Sequence, residues 1–420
     1  MTVVHGHCDP RFAPVREVFE KHFARGVEFG AAFAVSHEGR TVVDLWGGVA
    51  DRHTGRPWER DTPALAYSCT KAVTATALLL LAERGLVDVT APVAAYWPEF
   101  AAAGKAEVTV EHLLTHQAGL PALEEAVPVE EFEDQPAIAD RLARQAPIWE
   151  PGTAHGYHAI TYGFLVGEVI RRVSGKTVGE VVAAEIAGPH DLELWLGAPG
   201  DVAARAAHLS AGDRAAASDP GPNSGPDSDS GPGSGSTGEP AAASAGANVA
   251  VAGAGGDLMA AMAAAAADRD SLMNRALGNP PMSRLKGGAN HPVILRAGWP
   301  ALGAVTTARG LAGFYRELVA GRIVTPETLR DATRLRVSGP DRVLIVDSAF
   351  GLGYMRPALT FMTPQRGART AFGHTGMGGF LGLGDVEHGL GLGYVMNRMS
   401  STASGGLRAY HLAQAVYDSL

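Results

Sequence analysis

The 420-residue chain predicts an α+β fold in which an antiparallel sheet, flanked by terminal helices, carries a large and mainly helical insertion. Three observations lead there. Residues 29–46 read as a β-hairpin, residues 343–396 hold a series of short strand signals closed by a helix, and helical patterns dominate between them. Residues 1–65 with 335–420 are thus expected to form a discontinuous sheet domain, and residues 66–334 a mainly helical one. A cleft between two such lobes is where a ligand would sit.

Each element follows from local pattern. Residues 11–23 place Phe12, Val15, Val18, Phe19 and Phe23 near helical spacing. The runs 29–37 and 40–46 are β-rich and are separated by Glu38-Gly39, a turn pair. A strongly apolar helix starts at Ser68 and stops at Gly85, which suits the left-handed residue after a helix end. Further helices are expected over 110–115, 135–144, 161–173, 177–186 and 307–320. Residues 218–247 are rich in Gly, Pro, Ser and Asp and have no aromatic or branched aliphatic side chain, so a disordered surface insertion is expected. Strands are expected at 343–350, 352–355, 370–373, 379–385 and 391–396, then a last helix over 407–417.

Composition narrows the function. Net charge is −9 and no basic run or basic helix stands out, which argues against nucleic acid as a partner. The first residues lack a charged-then-apolar leader, and no uncharged apolar run reaches about 18 residues, so no membrane partner and a cytoplasmic location are expected. Cys8 and Cys69 do not make a disulfide framework, and Cys69 reads as a small buried side chain. The 15 histidines are scattered without H-E-x-x-H or a Cys/His cluster, so neither a metal nor another cofactor is implied. No G-x-S-x-G elbow and no phosphate-binding glycine loop is found.

The chemistry-bearing motif is Ser68-Cys69-Thr70-Lys71 at the head of the apolar helix. A serine hydroxyl needs a base within hydrogen-bond reach. Residues three apart lie one turn above each other, so Lys71 can meet Ser68. The apolar run 72–84 would bury that amine, and burial lowers a lysine pKa by disfavouring the ammonium. A serine nucleophile with a lysine partner follows.

Three further segments fall in a telling order: His112-Leu113-Leu114-Thr115-His116-Gln117-Ala118-Gly119, Trp149-Glu150-Pro151-Gly152-Thr153-Ala154-His155-Gly156-Tyr157-His158-Ala159, and Phe372-Gly373-His374-Thr375-Gly376-Met377-Gly378-Gly379. With the tetrad, they resemble the class C β-lactamase-like serine hydrolases over nearly the whole chain, outside the 218–247 insertion. That group takes in class C β-lactamases, D-aminopeptidases, family VIII carboxylesterases and natural-product transacylases, on a penicillin-binding-protein-like, β-lactamase/transpeptidase-like fold. The resemblance implies Ser68 as the acylated nucleophile, Lys71 as the group that takes or relays its proton, and Tyr157 as the tyrosine of the family's Y-x-N motif. A tyrosine near a lysine can be pushed toward phenolate and act as base, which leaves Lys71 and Tyr157 both open as primary base. It also implies an oxyanion hole from the backbone N–H groups of Ser68 and Met377, and substrate contacts from His374, Thr375 and Gly376, with Gln117 and His158 as further candidates. His116, Trp46 and Trp149 read as packing residues.

Two departures steer the substrate. Ala159 stands where the family's asparagine would hold a β-lactam's acylamino group, and His374 replaces the lysine of K-T-G, so a fixed cation for a carboxylate is missing. The expected activity is a serine acyl-enzyme ester hydrolase acting on a small-molecule ester or amide. The alternative is acyl transfer to a second alcohol or amine. The abundance of Ala and Gly suggests a GC-rich genome, where this group includes transacylases of antibiotic pathways. β-Lactamase and D-aminopeptidase activities rank below both.

Overall fold

The computed structural model describes residues 2–211, 260–400 and 406–420; the expected insertion at 218–247 lies outside the described residues. The N- and C-terminal parts build one antiparallel sheet. Its strands are β1 (Val4–Cys8), β2 (Gly30–His37), β3 (Arg40–Asp51), β4 (Phe372–Thr375), β5 (Leu381–Asp385) and β6 (Leu390–Met396), in the spatial order β1-β3-β2-β6-β5-β4. A short strand at Arg56–Pro57 adds to the end of β3. The two ends of the chain are stitched where β6 runs antiparallel to β2, from Leu390 opposite His37 to Met396 opposite Ala31.

Side-chain alternation assigns the two faces. On one, helix α4 (Ala308–Val319) lies across β2, β5 and β6. Its approach requires glycine: a Cβ at Gly393 would stand 2.3 Å from the Ala308 carbonyl oxygen and 2.7 Å from the Ala312 nitrogen. At Gly391 it would stand 2.7 Å from the Arg316 nitrogen. On the other face, Tyr394 reaches Glu28, which pairs with Arg408 near the start of the closing helix α5 (Leu407–Asp418). That helix packs against α1 (Ala13–Ala24). Residues 308–319, grouped with the helical region on sequence, therefore form a layer on the sheet.

The segment between the sheet's two halves centres on α2 (Thr70–Glu83), buried from Thr70 through Leu81, with α3 (Thr161–Ser174) packed alongside. Because α2 has no polar side it has little amphipathic pattern, as expected for a helix enclosed all round. Gly85, at φ +72°, ends it as expected. A three-stranded antiparallel ribbon, Ala64–Leu65 against Ala304–Thr306 against Leu194–Leu196, runs into the start of α2.

Other expectations need correction. The α-helix begins at Thr70, after a 3₁₀ turn over Tyr67–Cys69 that holds Ser68. Residues 343–346 form a turn, and Asp347–Phe350 pairs with Val337–Pro340 in a separate hairpin. Residues 352–355 are not a strand; Met355 makes only isolated bridges to Phe350 and Gly373. Strand β1 and the ribbon carry no alternating pattern and were not anticipated. Among the described residues no helix is long and apolar enough to cross a membrane.

The tight seat of α4 is testable. Gly393→Ala should cost more than about 2 kcal/mol, because the added methyl meets backbone that cannot swing aside. Gly200→Ala, where a Cβ would meet nothing within 4 Å, should change stability by less than about 0.5 kcal/mol. Denaturant midpoints of the two variants check both.

Candidate active site

Ser68 is presented by a strained turn. Tyr67, the residue before it, has φ +46°, a conformation that costs a non-glycine residue free energy and persists only where its surroundings enforce it. Here they do: Ala66 N–H donates to the Ala304 carbonyl (2.8 Å), the Thr70 hydroxyl donates to the Tyr67 carbonyl (2.5 Å), and Ala304 N–H donates to that same hydroxyl (2.9 Å). The ribbon and the first turn of α2 thus hold the half-buried Ser68 at the mouth of a narrow cavity.

Lys71 is 0% exposed. Its Nζ lies 3.1 Å from Ser68 Oγ and donates to the carbonyls of Ala159 (2.7 Å) and Ala301 (3.0 Å). No carboxylate is among these partners, and burial pushes the Lys71 pKa well below the ordinary lysine value. An uncharged amine has two N–H bonds and one lone pair. With both N–H groups taken by carbonyls, the lone pair is left for the Ser68 O–H.

Tyr157 completes the group. It lines the same cavity as Ser68, and its ring centroid is 4.7 Å from Lys71 Nζ. Burial drives its phenol pKa upward, and a hydrogen bond with Ser68 opposes that rise only in part. Of the two bases left open on sequence, this burial favours Lys71 over a Tyr157 phenolate. A neutral lysine offers no charge to stabilise the anion, so Tyr157 stays a phenol that can donate or relay a proton. Its backbone is pinned by Asp341, whose Oδ1 accepts N–H bonds from Tyr157 (3.0 Å), Val343 (2.8 Å) and Leu344 (2.9 Å). The Ser348 hydroxyl donates to the other carboxylate oxygen (2.8 Å) and also contacts His155 Nε2 (3.0 Å).

Strand β4 lies against the Ser68 turn. A Cβ at Gly376 would stand 2.5 Å from the Ala66 carbonyl oxygen, and the Cys69 thiol donates to the His374 carbonyl (3.3 Å). Burial raises the Cys69 pKa to about 12, so this thiol is no nucleophile. Met377, the residue after Gly376, joins Ser68 in lining the cavity.

Several expected substrate contacts are already occupied by protein. His158 bridges two backbone groups: its Nδ1–H donates to the Gly156 carbonyl (2.7 Å) and its Nε2 accepts from Leu120 N–H (3.0 Å). Burial keeps it neutral, with a pKa near about 4, so it fastens loops instead of binding substrate. Gln117 likewise accepts from the Thr115 hydroxyl (2.9 Å) and donates to the Gly152 carbonyl (3.3 Å), tying the 115–117 and 150–152 turns. The Thr375 hydroxyl donates toward the Thr360 carbonyl (3.3 Å). For His374 the correction is chemical. Its Nδ1–H donates to the Thr375 carbonyl (2.6 Å) and burial lowers its pKa to about 3, so the buried Nε2 carries a lone pair and no proton. A substrate contact there is therefore limited to accepting a hydrogen bond at Nε2. The groups that sequence reasoning missed are the carbonyls of Ala159 and Ala301 and the Asp341 clamp; the first two carry no side-chain signal.

With this geometry in place, comparison with known proteins is informative. The chain matches the family model described as Beta-lactamase over residues 15–417. It is 33% identical over 424 residues to the esterase/beta-lactamase LipL of Mycobacterium tuberculosis, covering 97% of this chain and 87% of that protein. It is similar to the crystal structure of a family VIII carboxylesterase, at 33% identity and a TM-score of 0.80 over 100% of both chains. A penicillin-binding protein homologue from Caulobacter crescentus gives 34% identity and a TM-score of 0.80, again over 100% of both. The chain is an enzyme, and it belongs to the beta-lactamase family, whose penicillin-binding-protein-like fold it has.

Proposed function

We propose that this enzyme hydrolyses short-chain carboxylic esters through an acyl-enzyme on Ser68. The observation that carries the reading is the fully buried Lys71 amine 3.1 Å from Ser68 Oγ, with its other two contacts on backbone carbonyls and no carboxylate among its partners; burial favours the free amine, whose lone pair can then take the Ser68 proton. Lys71 takes the Ser68 proton as Oγ bonds to the ester carbonyl carbon. The carbonyl oxygen becomes an oxyanion held by the backbone N–H groups of Ser68 and Met377, each contributing on the order of 3 kcal/mol. The bond to the alkoxide then breaks. Tyr157 gives its proton to the departing oxygen and regains one from the Lys71 ammonium. Water attacks the acyl-Ser68 carbonyl and passes its proton to Lys71 through Tyr157. The bond from the acyl carbon to Oγ then breaks, the Lys71 ammonium returns its proton to Oγ, and the acid is released.

The substrate class follows from the cavity wall. Ile160, Leu277, Met282 and Leu302 close around Ser68 and Tyr157, leaving narrow apolar space suited to a small acyl group. Hydrolysis of 4-nitrophenyl acetate and butyrate should therefore exceed that of the decanoate by more than tenfold in kcat/KM. Leu302→Ala should shift the optimum toward longer chains. Equal rates across the series would remove the short-chain assignment. Chromogenic cephalosporins should turn over at trace rates, since Ala159 brings no amide and His374 brings no cation. The products decide between hydrolysis and transfer: acid alone in the presence of added amines and alcohols supports hydrolysis, while amide or new ester assigns acyl transfer.

A fluorophosphonate should label Ser68, as read by peptide mass spectrometry, and Ser68→Ala should remove the label. Lys71→Ala and Tyr157→Phe should each lower kcat at least about a hundredfold. The pH profile has a defined sign. Activity needs the free amine, so kcat/KM should fall as pH drops through the depressed Lys71 pKa. An acid limb near the ordinary lysine value of 10.5 would show that burial does not hold the Lys71 amine uncharged at neutral pH.

A further inference from the structure

Behind the active site lies a buried charged cluster that the mechanism above does not use. Glu28 sits beneath the sheet, between α1 and β2, with its side chain fully enclosed. It accepts from the Tyr394 hydroxyl and, at 2.6 Å, from Arg408 Nη1. The other arm of the Arg408 guanidinium extends to the active-site turn: Nη2 donates to the Gly378 carbonyl (3.2 Å) and the Arg398 carbonyl (2.6 Å). The Gly378 carbonyl also accepts from Ser400 N–H (2.9 Å) and the Ser400 hydroxyl (3.1 Å).

This carbonyl belongs to a turn whose glycines do little by themselves to keep it in place. Gly378 and Gly379 have φ +83° and +120°, and the turn is otherwise closed by Gly376 N–H to the Phe380 carbonyl (2.9 Å) and Gly379 N–H to the Gly376 carbonyl (3.1 Å). Glycines in these regions lower the cost of the bend and equally permit other bends. Met377 stands in the middle of the turn, at the edge of the Ser68 cavity. A donor misplaced by about 1 Å forfeits much of its effect on a developing anion.

We propose that Arg408 is a positioning residue for the oxyanion site: anchored by Glu28, it holds the Gly378 carbonyl and thereby fixes the direction of the Met377 N–H. Arginine suits the task because its planar fork engages two partners at once, here a carboxylate on one arm and a carbonyl on the other. A lysine has one ammonium and a shorter span, and cannot bridge both. The inference rests on Met377 N–H as an oxyanion donor, as read under the proposed function.

The test compares phenyl acetate with O-phenyl thionoacetate, in which the developing charge falls on a larger, softer sulfur that an oxyanion hole built for oxygen holds poorly. In Arg408→Lys and Arg408→Ala, kcat for the oxygen ester should fall about 10- to 100-fold with KM within about threefold, and the oxygen-to-sulfur rate ratio should fall at least about fivefold. Arg408→Lys, which keeps the buried charge, should melt close to the parent protein and so separate positioning from folding. Glu28→Gln, which keeps an acceptor for Arg408, should fall between the parent and Arg408→Lys. A ratio unchanged in both Arg408 variants overturns the inference, whatever their overall rates. Fluorophosphonate labelling of the parent enzyme keeps the two readings apart: label on Ser68 with an unchanged ratio sinks the positioning role alone, whereas no label at Ser68 sinks the acyl-enzyme and this inference together.

Discussion

A lysine amine enclosed in hydrocarbon and satisfied by two backbone carbonyls is the constraint around which this molecule is arranged. An ammonium in that place would need several kcal/mol of compensation that no carboxylate among its partners supplies. Burial therefore favours the neutral amine, and neutrality is what the proposed role of base requires. The two carbonyls come from positions 88 and 230 residues away in sequence, so the base exists only in the assembled fold. Every helix and loop that brings Ala159 and Ala301 to the side of α2 therefore shapes the environment of this amine.

The rest of the architecture can be understood as enforcing this meeting. The three-stranded ribbon delivers both Ser68 and the 301–304 segment, since Ala64–Leu65 and Ala304–Thr306 are paired directly. The Thr74 hydroxyl donates to the Pro300 carbonyl at 2.6 Å, one helical turn beyond Lys71, so α2 holds the neighbouring backbone in register with the amine. On the opposite side, Asp341 gathers three backbone N–H groups and so fixes where the Tyr157 loop can lie. A carboxylate used in this way needs no charge partner, because N–H donors satisfy its lone pairs.

How far the sequence reveals this varies with the physics of each part. The contact between Ser68 and Lys71 was legible because helical spacing converts i and i+3 into contact, and the hairpin and β5–β6 were legible because strand signals flank glycine turns. Strand β1 was hidden because Val4–Cys8 is an edge strand with a mainly exposed middle, and such strands need no alternation. His158 and Gln117 looked like ligand-binding groups because polar side chains beside a catalytic motif invite that reading. Their partners are backbone groups in loops, which leave no trace in composition. Residues 352–355 show the reverse error: strand-forming residue types there serve packing, with Leu352, Tyr354 and Met355 buried, and no ladder forms.

The replacement at His374 joins these threads. A lysine at that position would put a cation beside Lys71 whenever either amine took up a proton, and two such groups in a dry site make each other harder to protonate. The imidazole avoids that conflict. Its Nδ1–H is held by the Thr375 carbonyl, its low pKa keeps it uncharged, and a proton on Lys71 would only lower that pKa further. The cavity is then bordered by a neutral amine, a neutral phenol and a neutral imidazole. Such a site has no fixed cation to offset the desolvation of an anionic substrate, and neutral substrates lose the least on entering it. The proposed preference for uncharged esters over carboxylate-bearing lactams therefore rests on the same electrostatics as the proposed base.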